Sequence, residues 1–380
     1  MRRKNKVLVI LGVLLLVVAV IFVPRLIDIW NTPLGPSLGF EELPTATSIP
    51  EQAAVEEPTE SQTGDATSAP TGVPAAAPAP FCGGPQEMVV MAVGVDYRPD
   101  SYLYGLADVI KIVRVDFVTP RVSVLSIPRD LWVEVPGISD HYDITHTKLN
   151  QSYFFGTEGM GYYDGPGEGA GLLARTLEVN FGIRPDQYGV VNMATFEDIV
   201  DAVGGIDIYL DYPVDGRVGD SPEDNMGYYP AGWNHLYGEK AVKFSRIRKV
   251  DNVFNRMSRQ TQVLCALKDS VLSTDGVIGI PQMVEAFSGR VLTDLSPAQM
   301  SQLACLLPKL GDDGILFASF PQDLFERTTV WDPYSNIHTF MWDVDYDILR
   351  DYIDQFLAGE WPLPSDDGDG MSCPVYPEKP

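Results

Sequence analysis

The sequence predicts an α/β protein: a layered α-β-α sandwich around a central mixed β-sheet, preceded by an N-terminal transmembrane helix. Three features carry that prediction. Short β-branched runs bounded by turn residues alternate with longer amphipathic runs, the pattern of a sheet covered by helices. A basic tip leads into one unbroken apolar run, the pattern of a membrane anchor. Between anchor and domain lies a Pro/Ala/Ser/Thr-rich stretch without apolar periodicity, which cannot bury enough surface to offset the entropy of ordering.

The anchor comes first. Residues 1–6 read MRRKNK and residues 7–23 read VLVILGVLLLVVAVIFV. Continued to Trp30, the apolar segment reaches the roughly 20 residues that cross a bilayer. Basic residues before the span and almost none after it place the N-terminus inside and the rest of the chain outside the cytoplasm. Pro24-Arg25-Leu26 offers no small-x-small cleavage site. The expected organisation is therefore an anchor over residues 1–30, a flexible stalk over 31–85, a globular domain over 86–361 and a polar tail over 362–380.

Within the domain, strands are expected over residues 88–95, 109–115, 122–127, 188–192 and 206–210, all in one sheet. Helices are expected over residues 169–180, 194–203, 238–244, 255–272 and 297–307. The first three strands end in polar loops, and ligand sites in such sheets favour strand ends. The four cysteines, Cys82, Cys265, Cys305 and Cys373, include no CxxC pair, and the chain holds only four histidines, so a zinc cage is not indicated. An even count outside the cytoplasm permits two disulfides. Cys265 and Cys305 fall in helix-like segments and Cys82 and Cys373 in edge loops, so 265–305 and 82–373 are the expected pairs of three possible sets. Free buried thiols are the alternative.

Charge points to the chemistry. The chain has a formal net charge of −25, yet RIRKVDNVFNRMSR, residues 246–259, holds five basic side chains and one acid. Arginine presents a fixed donor fork suited to phosphate or carboxylate, so this segment reads as an oxyanion site. A chain this acidic is repelled by long nucleic acids, and no nucleic-acid partner is expected. There is no GxSxG, HExxH, GxxxxGK[ST] or GxGxxG motif. What remains is a dispersed polar set. Asp96 and Arg98 follow the first strand, Asp108 precedes the second, and Arg129-Asp130 follows the third. Lys148 and Asn150 stand in HTKLNQSY, and Gln260 follows the arginine segment. Two carboxylates at strand ends with several arginines can hold Mg²⁺ and neutralise a diphosphate. Asn150-Gln-Ser152 is also a formal glycosylation sequon.

These residues lie in VGVDYR (Val93–Arg98), ADVIKIVRVD (Ala107–Asp116), VLSIPRDLWVEVPG (Val124–Gly137) and HTKLNQSYFFG (His146–Gly156). VNMATFEDIVDAVGGIDI (Val191–Ile208), AGWNHLYGEKAVKFSRIRK (Ala231–Lys249) and FNRMSRQTQVL (Phe254–Leu264) follow. Together, in that order, they resemble the LytR-CpsA-Psr (LCP) family. The resemblance implies a phosphotransferase outside the membrane, which moves a glycopolymer from a polyprenyl-pyrophosphate carrier to peptidoglycan. It implies that Asp96 and Asp108 face Mg²⁺ as the metal cofactor. Arg98, Arg129, Arg246, Arg248, Arg256 and Arg259 are then pyrophosphate ligands, supported by Gln260, with Asp130, Lys148 and Asn150 beside them. The lipid tail would lie in an apolar groove between sheet and helices. Many relatives carry Asp directly before the Phe of the Phe-x-Arg step, where this chain has Val253. Asp251 is the nearest acid able to replace it, and a catalytically weak polyprenyl-phosphate or cell-wall-binding protein is the alternative reading.

Overall fold

The computed structural model describes residues 25, 27–40, 78–97, 101–217, 225–247, 253–272, 289–311, 314–362, 370–373, 376, 377 and 379. Its centre is a seven-stranded sheet built from Glu87–Val95 (β1), Ala107–Asp116 (β2), Arg121–Ser126 (β3), Gln187–Asn192 (β6), Leu292–Thr293 (β11), Ile315–Ser319 (β12) and Gly370–Ser372 (β15). The order is β11-β6-β1-β2-β3-β12-β15. β1 to β3 form an antiparallel meander, while β6 beside β1 and β12 beside β3 run parallel, so the sheet is mixed as expected.

Side chains of successive strand residues point to opposite faces, and here the two faces have different fates. On one, Met91, Val93, Ile110, Ile112, Leu125, Tyr188 and Val190 are buried in a single large cluster. Helices Leu149–Gly156 (α1), Glu168–Phe181 (α2) and Tyr346–Ala358 (α7) supply the other half of it. The opposite face is covered by Met193–Ala202 (α3), Gly238–Arg246 (α4), Val253–Leu272 (α5) and Pro297–Leu306 (α6). Its apolar packing is split into small groups, around Met88, Val115, Phe117 and Leu306 and around Val124, Cys265 and Phe317. Two hairpins decorate the domain, Glu326–Asp332 (β13) with Ile337–Asp343 (β14), and Val214–Arg217 (β8) with Asn225–Tyr229 (β9).

Several expectations need correction. Ile206–Leu210 (β7) is a strand, but it pairs with Gly232–Leu236 (β10) in a separate two-stranded sheet. Its alternation is that of a half-buried strand, with Ile206, Ile208 and Leu210 turned onto α4 and α5, and such alternation does not specify a partner. The disulfides are Cys82–Cys305 and Cys265–Cys373, not 265–305 and 82–373. Each bond joins a cysteine of a helix to one at the domain edge. The short turn at Phe81–Gly83 packs against α6, which carries Cys305, while Cys265 on α5 faces the end of β15. The stretch read as a stalk begins with a packed segment: Leu38 is buried in the main cluster, and the Tyr188 hydroxyl donates to the Pro36 carbonyl at 2.9 Å. The tail is also attached, through β15, Cys373 and an ion pair of Lys379 with Asp207 at 2.7 Å. Among the described residues no helix is long and apolar enough to cross a membrane, and the apolar run 7–23 lies outside them.

Candidate functional site

The site gathers at the ends of β1, β2 and β3 and is assembled around the backbone of one residue, Leu106. The Leu106 carbonyl accepts from Asp96 N–H at 3.1 Å and from Asp108 N–H at 2.9 Å, and Leu106 N–H donates to Asp96 Oδ1 at 2.7 Å. Two carboxylates from different strands are thereby held side by side. A β-bulge makes this possible. Gly94 pairs with Val109 and Val95 with Ala107, so Asp108 is the extra residue, unpaired in the ladder. With regular pairing it would lie opposite Val95 and face the packed side; the bulge re-aims it into the site. Burial pushes the Asp96 carboxyl above its ordinary pKa, the Leu106 N–H opposes this, and the nearby charge of Asp108 adds to the rise.

Arg129 joins the second carboxylate to the third strand. Its guanidinium is paired with Asp108 and reaches Asp130 Oδ2 at 3.3 Å. Burial alone would lower the Arg129 pKa, but Asp108 and Asp130 outweigh it and the net shift is upward, so the guanidinium stays charged in a desolvated place. Lys148 Nζ approaches Asp130 Oδ1 at 3.4 Å. Lys148 closes the short strand His146–Lys148 (β5), paired with Trp132–Glu134 (β4), and precedes α1. That helix is docked by Leu149 N–H on the Leu131 carbonyl and Asn150 N–H on the Arg129 carbonyl. Asn150 is buried and its Oδ1 has no hydrogen-bond partner among the described residues, which rules its sequon out as an exposed acceptor.

From the helical side come Arg246, the last residue of α4, and Arg256 and Gln260 on α5. All three line a cavity of about 830 Å³, together with Asp96, Asp108, Arg129, Asp130, Lys148 and Asn150. Below this charged rim the floor is made of two rows across the sheet. Val191, Gly94 and Val109 form the upper one and Gly189, Ala92 and Lys111 the lower. A Cβ added at Gly189 would meet nothing within 4 Å, so the small residues leave real space. Leu264, Leu295 and Met300 line the helical wall. The arrangement suits an amphiphile: a multiply charged anion at the rim and an apolar chain beneath it.

Arg259 does not line the cavity. It is buried on α5 and donates to the Ile247 carbonyl at 2.5 Å, tying α5 to the exit of α4 that presents Arg246. Residues 256 and 259 share one side of the helix, but only the first reaches the cavity. Arg98, Arg248 and Asp251 lie outside the described residues, and α5 opens at Val253. Among the lining residues that the sequence did not single out, Asp332, Lys111 and Gly189 stand out. Asp332, on β13, is buried, accepts from Gln151 Nε2 at 3.2 Å and caps the turn at Tyr334. Lys111 is a charge on a strand otherwise apolar on that face, a signal visible in VIKIV. Gly189 breaks the run of β6.

The LytR_cpsA_psr family model matches residues 51–345 of the chain, well over half of it, and the chain belongs to that family. Among characterised relatives, the polyisoprenyl-teichoic acid–peptidoglycan teichoic acid transferase TagV of Bacillus subtilis strain 168 is 29% identical over 208 residues, 54% of this chain and 49% of TagV. The TagU transferase of Bacillus cereus strain AH820 is 29% identical over 215 residues, 56% of this chain and 61% of TagU. Regulatory protein MsrR of Staphylococcus aureus strain COL is 27% identical over 198 residues, 51% of this chain and 53% of MsrR. The chain thus spans about half the length of the curated relatives it matches. The fold is shared with solved structures. A Streptococcus agalactiae protein superposes with TM-score 0.57 at 20% identity, covering 72% of this chain and 88% of that one. B. subtilis TagV superposes with TM-score 0.54 at 24% identity, covering 72% and 98%.

Proposed function

We propose that this protein is an extracytoplasmic phosphotransferase that moves a glycopolymer from a polyprenyl-diphosphate carrier to peptidoglycan. The observation that carries the reading is the seating of Arg129, Arg246 and Arg256 at the rim of a cavity whose floor, apart from Lys111, is apolar and lined by small residues. A prenyl diphosphate has that polarity along its length, and the names of TagV and TagU supply the polymer class and the acceptor. The exposed Ile27, Ile29 and Trp30 directly after the apolar run 7–23 support anchorage by that run.

Phosphoryl transfer needs in-line positioning and charge stabilisation more than a protein nucleophile. An acceptor hydroxyl attacks the sugar-side phosphorus and gives up its proton to solvent, the bond to the bridging oxygen breaks, and the electron pair leaves with the lipid phosphate. Arg129, Arg246 and Arg256 offset the charge on the sugar-side phosphate, while Asp130 and Lys148 fix the orientation of Arg129. Among the described residues no three His, Cys, Asp or Glu form a cage. The carboxylate pair Asp96 and Asp108 nevertheless fits Mg²⁺, which is commonly bound by one or two carboxylates completed by substrate phosphates. Bound there, Mg²⁺ would polarise the phosphate oxygens.

The test is reconstitution with a polyprenyl-diphosphate-linked glycopolymer, peptidoglycan and Mg²⁺. Released polyprenyl monophosphate should match polymer bound to peptidoglycan, and Arg129→Ala should lower the rate by about one to two decades, the worth of a charge-assisted contact. Carrier binding without any transfer would instead favour a weak, polymer-binding role. Val253→Asp restoring transfer would then assign the loss to the missing acid.

A further inference from the structure

Lys111 is used by nothing described so far. It sits in the middle of β2, in the lower row of the cavity floor, between Ala92 on β1 and Ser126 on β3. The side chain is 3 % exposed, and its one hydrogen bond among the described residues is Nζ to Ser126 Oγ at 2.7 Å. No carboxylate forms a salt bridge with it among those residues. An ammonium carries three donors, so a single hydroxyl leaves it under-satisfied in a desolvated place. Burial pulls its pKa down to about 8, which marks the charged form as the one lacking a partner. A merely structural residue at this position would be apolar, like Val109 and Val113 on the same face.

Its depth sets what it can touch. Lys111 lies three residues beyond Asp108, roughly 10 Å along the strand. Its position is therefore below the rim cluster, in the second row of the floor. From there an ammonium meets the part of a bound amphiphile where the anion joins the chain.

We propose that Lys111 is a ligand of the lipid-side phosphate, the group that stays on the polyprenyl chain and leaves with the electron pair of the broken bridging bond. This rests on the proposed function. Lys111 keeps its proton throughout and donates hydrogen bonds to the leaving phosphate, whose charge rises by the bond it loses. The rim arginines hold the sugar-side phosphate, so the two phosphates are read by different elements of the fold.

Three probes separate the possibilities: farnesyl monophosphate, farnesol and farnesyl diphosphate, bound to the full chain and followed by calorimetry. Lys111→Met is close in shape and apolar, so its melting temperature should equal or exceed that of the parent. It should bind farnesyl monophosphate about ten- to a hundred-fold more weakly and farnesol equally well. Lys111→Gln serves the same comparison should the Met variant not fold. Equal affinity of parent and variant for the monophosphate overturns the role of Lys111 and leaves the proposed function standing. A parent that binds neither phosphate ester overturns the proposed function itself.

Discussion

The two faces of the central sheet are made by the same strands, yet one is a core and the other a container. On the first, Ile110, Ile112 and Leu125 are fully or almost fully buried in one continuous cluster with α1, α2 and α7. On the second, alternate residues of the same strands are Ala92, Gly94, Val109 and Lys111, and they border a cavity of about 830 Å³. Both disulfides fall on this second face. Cys82, bonded to Cys305, packs with the group around Met88 and Phe117, and Cys265 and Cys373 with the group around Val124 and Phe317. The difference teaches how a site can be left open. Space for a ligand removes the packing that would hold the covering helices, and two covalent links at the margins of the cavity offset that loss.

The contrast is easiest to break on the packed side. Leu125→Ala opens a void in a region that cannot collapse, and unfolding should become easier by about 2–5 kcal/mol. Denaturant melts should show the loss, with ligand affinity per folded molecule unchanged. If affinity falls as steeply as stability, the faces are not separable.

A smaller effect is expected at the covalent margin. Replacing Cys265 and Cys373 together by Ser should cost about 2–4 kcal/mol, since the link closes a long loop. Here stability and ligand binding should fall together, because α5 carries Arg256 and Gln260. A variant that melts earlier but binds a prenyl diphosphate as the parent does would show that helix packing alone positions those groups.

The smallest change in stability, and the sharpest in function, is expected at Gly189→Leu. The added side chain points into open space, and a strand glycine is itself unfavourable, so folding should shift by no more than about 1 kcal/mol. The filled floor should weaken binding of long prenyl phosphates while leaving inorganic phosphate unaffected. Equal affinity for both would place the lipid chain elsewhere.

Much of this was legible in the residues. The strands β1, β2, β3 and β6 announce themselves by β-branched runs between turn residues, and α2, α4 and α5 by their period. Arg129, Asp130, Lys148 and Gln260 are where motif order places them, on the cavity. The failures share a cause: each depends on contacts distant in sequence. The partner of β7 is chosen by a hairpin-like return through β10, not by its own alternation. The cysteine pairing follows from β15 adding to β12 some fifty residues later, in a tail whose composition reads only as polar. Arg259 has the spacing of a ligand but the task of a strut, because its guanidinium is engaged by the Ile247 carbonyl just past the end of α4. Lys111 and Gly189 were visible in the strands, but their meaning depends on which row of the sheet they occupy.

The bulge at Asp108 has a consequence for anyone recombining this strand with that of another protein. Along a strand, parity acts as an address: odd positions are delivered to one side and even positions to the other. The bulge changes the address once, at Asp108 on β2, while β1 keeps its parity through Val95. A graft that imports residues 109–116 without 106–108 would keep every apolar residue on its proper side. An acid that the host strand carries at position 108 would then, with regular pairing, point toward the packed core. The carboxylate and the surplus position it occupies are one heritable unit, to be moved together with its flanks.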